Sequence, residues 1–71
     1  MKYKEIEFDE TKGFPTGKGL YYECKLCGAR RSTVNIKEAG FCECRNLHID
    51  IDYSRISVKA PASVTLLEVY D

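Results

Sequence analysis

Four cysteines in two close pairs constrain this chain more than any other feature. Cys24 and Cys27 form a C-x2-C pair followed by Gly28, and after fourteen intervening residues Cys42 and Cys44 form a C-x-C pair. Two thiolates three residues apart can face one ion if the chain turns tightly between them, and Gly28 can take the positive φ that lets backbone amides approach the sulfurs. A second pair arriving across a hairpin completes a tetrahedron, so the expected ligands are Cys24, Cys27, Cys42 and Cys44. Zinc is the preferred occupant, because a closed four-sulfur site needs no redox chemistry. Iron is the alternative ion for the same ligand set.

The size of the chain explains why it needs such a site. For 71 residues and 8.1 kDa, surface scaling predicts that folding removes roughly 7,200 Å² from water. If about 60% of that is apolar, burial contributes on the order of 110 kcal/mol against roughly 105 kcal/mol of ordering entropy. A domain this close to balance uses disulfides, a metal or a partner. Disulfides within either pair would close rings too small to restrict the unfolded chain much, and a C-x-C disulfide is strained. Crossed disulfides would stabilise more but require an oxidising compartment. The N-terminus, Met1-Lys2-Tyr3-Lys4-Glu5-Ile6-Glu7, contains no apolar run of secretory type, and no stretch approaches transmembrane length. The expectation is a cytoplasmic protein with reduced thiols and no membrane contact. A thioredoxin-like redox pair would need a βαβ scaffold, for which the chain offers neither helix nor length.

The hydrophobic pattern predicts a small all-β domain of five or six short antiparallel strands spanning residues 1–71. Ile6 and Phe8 alternate with acidic residues in an N-terminal strand within residues 1–10. Gly13, Pro15, Gly17 and Gly19 then mark residues 11–19 as a mobile loop. Residues 20–59 carry the cysteine pairs and the hairpins. Leu20-Tyr21-Tyr22-Glu23 leads as a strand into Cys24, Ser32, Val34 and Ile36 suggest another, and a short helical turn at 36–39 is the competing reading of its end. Leu47, Ile49, Ile51 and Tyr53 alternate most cleanly, Ser54-Arg55 makes a tight connection, and Ile56 to Lys59 resumes the alternation. The last strand, 64–70, has Val64 and Leu66 on one face and Leu67 and Val69 on the other, so both faces are expected to be covered.

The segment Tyr22-Glu23-Cys24-Lys25-Leu26-Cys27-Gly28 resembles the first knuckle of a zinc ribbon or rubredoxin-like protein. Cys42-Glu43-Cys44-Arg45-Asn46-Leu47-His48-Ile49-Asp50 is similar to the second half of small uncharacterised bacterial proteins in which C-x-C-G-N precedes a hydrophobic strand ending in Asp; here Arg45 stands in place of the glycine. The resemblance covers roughly residues 20–55 and implies a zinc-stapled β fold, with no activity to carry over.

Other readings can be weighed on the same residues. His48 would complete a three-sulfur, one-nitrogen site with one of Cys42 or Cys44, but it lies on the polar face of a strand leaving the site and reads better as a surface histidine. Three residues rather than four separate Gly13 from Gly17, and Gly19 replaces the Ser or Thr of a P-loop, so a phosphate cradle is not expected. Eleven Lys and Arg balance eleven Asp and Glu overall, which gives no long-range field of one sign. Residues 25–45 are locally basic through Lys25, Arg30, Arg31, Lys37 and Arg45 against Glu38 and Glu43. That surplus suits the negative charge of a zinc bound by four thiolates and leaves nucleic-acid binding, with Tyr21, Tyr22 and Phe41 as stacking residues, as the second reading. His48, Asp50 and Asp52 share a strand face without a nucleophile or pocket, so no enzyme is expected. The expected role is therefore a structural zinc domain that binds another protein.

Overall fold

The computed structural model describes residues 2–53 and 55–70. Among the described residues, seven strands form two antiparallel sheets. The first sheet, in the order β1-β7-β2-β3, contains β1 (Lys2–Ile6), β7 (Val64–Tyr70), β2 (Leu20–Cys24) and β3 (Arg30–Ser32). The second, in the order β4-β5-β6, contains β4 (Gly40–Phe41), β5 (Leu47–Asp50) and β6 (Arg55–Val58). Among the described residues no helix is long and apolar enough to cross a membrane.

The central strand follows directly from its sequence. β7 pairs with β1 along one edge and with β2 along the other, and Val64, Thr65, Leu66 and Leu67, whose side chains alternate between its two faces, are all buried. The core joins the two sheets: Tyr22, Cys24, Val64 and Leu66 from the first pack with Cys42, Leu47 and Ile49 from the second. Two of the four cysteines are thus core residues as well as candidate ligands.

Four local differences from the sequence reading have identifiable causes. The added strand is β4, whose two residues pair through Gly40↔Ile49 and Phe41↔His48 and are too few for a periodic signal. The strand expected through Ile36 stops at Ser32, because the Ser32 hydroxyl accepts from the amides of Val34 and Asn35 at 3.1 and 2.9 Å. Asn35 then caps a 3-10 turn at Ile36–Glu38, the competing reading of that segment. β5 ends at Asp50 rather than Tyr53, since Asp50 pairs with Arg55 and Ile51, Asp52 and Tyr53 turn; of the expected Ser54-Arg55 connection, Ser54 lies outside the described residues.

The fourth difference concerns the glycine- and proline-rich loop, which was expected to be mobile and is fastened instead. The buried Tyr22 hydroxyl donates to Pro15 O at 2.7 Å, and burial raises the phenol's pKa. Phe8, Phe14 and Tyr22 meet in tilted and edge-on contacts with centroids 5.6 to 5.9 Å apart, a favourable aromatic geometry. Thr33 completes the attachment: its hydroxyl donates toward Gly17 O and Leu20 O at 2.9 and 3.0 Å and accepts from the Gly17 amide at 3.1 Å.

Candidate metal centre

Each cysteine pair sits at the tip of a hairpin, one tip from each sheet. Cys24 ends β2, and the chain turns through Cys27 and Gly28 into β3. Cys42 follows β4, and the chain turns through Cys44 and Arg45 into β5. The two turns share a closing hydrogen bond despite their unequal cysteine spacing. The Cys24 amide donates to Ala29 O and the Cys42 amide to Leu47 O, both at 2.9 Å and both spanning five residues. The residue missing between Cys42 and Cys44 is therefore restored after the pair, by Asn46.

The left-handed position of each turn follows its second cysteine. Gly28 has φ +78°, and Arg45 has φ +62°, a region that glycine enters freely and other residues enter at a cost. Arg45 thus adopts the backbone conformation that the glycine of the resembling C-x-C-G-N sequences would favour. Its amide donates to Cys42 O at 3.0 Å, and its guanidinium lies 5.3 Å from the Phe41 ring centroid.

These turns bring all four predicted cysteines together, with their Sγ atoms within 4.8 Å of one another. Cys44 Sγ is 3.6 Å from both Cys24 Sγ and Cys42 Sγ. Bonded sulfurs would be ~2.05 Å apart, and all four thiols are free. Ligands at ~2.3 Å from a tetrahedral ion stand about 3.8 Å from each other, close to the 3.6 Å from Cys44 Sγ to Cys24 Sγ and Cys42 Sγ. Cys24 and Cys42 are buried, Cys27 is half-buried and Cys44 is exposed, so the cluster has an inner side and an outer corner.

The surrounding dipoles favour thiolates. The amides of Ala29 and Cys44 bring the Cys27 thiol down to about 6. Burial works against ionisation of Cys24, but the Cys27 amide, the Asn46 side chain and the Leu26 amide outweigh it and lower that thiol too. At Cys44 the Asn46 amide favours the thiolate, yet burial and the thiols of Cys24, Cys42 and Cys27 together push it up to about 12. Leu47 also donates its amide to Cys42 Sγ at 3.3 Å. Crowded sulfurs with converging N–H donors accept several negative charges only beside a cation, and this donor set therefore fits a thiophilic metal ion. No protein-family model, curated protein or solved structure matches the chain.

Asn46 and Ser63, to which sequence reasoning assigned no role, link the centre to the rest of the fold. The buried Asn46 donates through Nδ2 to Ser63 Oγ at 2.7 Å and lies 3.6 Å from Cys24 Sγ. Its Oδ1 accepts from the Ala60 amide at 3.0 Å, and its backbone carbonyl accepts from Lys59 at 2.9 Å. Ser63 O accepts from the Lys25 amide at 2.8 Å, so Ser63 touches both cysteine turns. The asparagine of the resembling C-x-C-G-N sequences falls at Asn46, but the motif carries no sign of the link to Ser63.

His48 is not part of the cluster. Its ring stacks on Phe41 with centroids 4.1 Å apart and planes 16° apart, making it half-buried rather than freely solvated. Arg30, counted above among the locally basic residues, pairs with Glu23 at 2.7 Å and lies over the Tyr3 ring, which reduces the free positive charge.

Proposed function

We propose that Cys24, Cys27, Cys42 and Cys44 hold one structural zinc ion in a zinc-ribbon-like domain whose work is to bind another protein. The observation that carries the metal assignment is the set of four sulfurs within 4.8 Å of one another. Zinc fits four thiolates in a closed shell, and iron is the competing ion for the same set. Such a shell leaves no position for an activating water, and the domain is read as non-catalytic and suited to a reducing compartment such as the cytoplasm. The protein-binding role draws support from unpaired outer strands in both sheets and from the exposed apolar side chains of Leu26, Ile36 and Tyr53. Native mass spectrometry with metal analysis tests the metal assignment: one zinc per chain with four thiol protons displaced is expected, whereas a metal-free chain lighter by two or four hydrogens would overturn it.

A second reading, binding to single-stranded nucleic acid, draws on one surface. Phe41, half exposed, and His48 line a groove with Val58, Arg45 and Lys59, and no carboxylate borders it. Stacking rings beside cations suit bases and phosphates. A gel-shift titration with single-stranded oligonucleotides across salt separates the two roles. Absence of retention even at low salt favours the protein partner, while retention lost in Phe41→Ala favours nucleic acid.

A further inference from the structure

The geometry points to Cys44 as a modification site: the sulfur at which a peroxide attacks the metal-loaded centre, with a Cys24–Cys44 disulfide as the product and metal release as the consequence. This inference rests on the metal-binding reading above. Cys24 and Cys42 are buried, at 0% and 2% exposure, and Cys27 is half-buried, while Cys44 is exposed at the tip of the second turn. A dissolved oxidant therefore reaches Cys44 first. Metal-bound sulfur keeps its thiolate character, and exposure then decides which thiolate reacts.

The same corner supplies a resolving sulfur. In the first step the Cys44 thiolate forms an S–O bond as the O–O bond of hydrogen peroxide breaks; sulfur loses two electrons and hydroxide leaves. In the second step the Cys24 thiolate attacks the Cys44 sulfenic sulfur, an S–S bond forms, the S–O bond breaks and a second hydroxide leaves. Two protons convert the hydroxides to water. Cys24 and Cys42 are equally placed, each 3.6 Å from Cys44 Sγ, but a bond to Cys42 would close a strained C-x-C ring. Cys24 belongs to the other hairpin and can close without that strain. The product leaves Cys27 and Cys42 as two isolated ligands, too few for a closed site.

The test uses the intact zinc-loaded chain, with loading verified beforehand by metal analysis. Dilute hydrogen peroxide is added with a sulfenic-acid trap, and labelled positions are mapped at low conversion. Cys44 should carry at least about tenfold more label than any other cysteine. Without the trap, one zinc per chain should pass to a chromophoric chelator as the mass falls by two hydrogens, with Cys24 and Cys44 cross-linked and the change reversed by a thiol reductant and zinc. Preferential labelling of Cys27, a Cys42–Cys44 product, or retention of zinc through peroxide treatment would overturn the inference while leaving the metal site standing. A chain that takes up no metal would overturn both.

Discussion

Asn46→Ala tests whether the metal centre depends on its link to the chain between β6 and β7. The substitution removes the 2.7 Å bond to Ser63 Oγ and the 3.0 Å bond from the Ala60 amide, at a side chain only 6% exposed. Each bond contributes on the order of 1 kcal/mol net. Ala60 is exposed, so water can satisfy its amide and the loss should be about 2 kcal/mol rather than the larger cost of a buried unmet donor. Because folding and metal binding are coupled in a domain of this size, that loss should weaken zinc affinity by about 30-fold. Asn46→Asp keeps an acceptor for Ala60 but places a carboxylate beside Cys24 Sγ, 3.6 Å from the present amide nitrogen, and should weaken binding further. Competition against a chromophoric chelator at neutral pH measures both variants. Affinity of Asn46→Ala within about threefold of the parent would refute the coupling.

Five other perturbations probe separate parts of the structure. Cys24→Ser should abolish zinc retention and the cooperative thermal transition together, seen by metal analysis and circular dichroism, because a buried ligand and core residue is lost. His48→Ala should leave zinc stoichiometry at one and cost about 1 kcal/mol in denaturant unfolding through loss of its stack on Phe41. Arg45→Gly should change stability by less than about 1 kcal/mol, since relief of the positive φ offsets greater unfolded-state freedom and the lost contact with Phe41. Arg45→Val should cost about 1–2 kcal/mol, because a β-branched residue tolerates that conformation poorly. Stability should fall as pH drops from 9 toward 6: Cys27 is depressed from 9.0 to about 6, so its contribution is present above its ordinary value and is lost as pH falls through the lower one. Denaturant midpoints measured across that range would contradict this if they were flat between pH 6 and 9.

The sequence revealed those parts of the molecule governed by local pattern. β7 occupies Val64–Tyr70 as expected, because a strand buried on both faces has apolar residues at both parities and breakers at its boundary. The cysteine cluster was legible because ligand type and spacing suffice to propose four sulfurs around one point. The fastening of the 11–19 loop was not, since Phe14 and Pro15 find Tyr22 only after the chain has doubled back. Side-chain competition for backbone donors, as at Ser32, also shortened a strand that its alternation favoured.

The shared closing bond explains how a shorter C-x-C spacing can serve opposite a C-x2-C pair. In each turn five residues separate the first cysteine's amide from the carbonyl it reaches, so the hairpin mouth has the same span whether one or two residues lie between the sulfurs. Moving the second cysteine one place earlier moves the left-handed residue with it, from Gly28 to Arg45, and leaves one position over before the strand resumes. Asn46 fills that position with a side chain that donates to Ser63 and accepts from Ala60. The short spacing therefore creates the position of the residue that ties the centre to the chain leading into β7. Restoring a symmetric C-x2-C by inserting a residue after Glu43 would displace Asn46 from both partners, which makes the compact pair a condition of this fold rather than a defect in it.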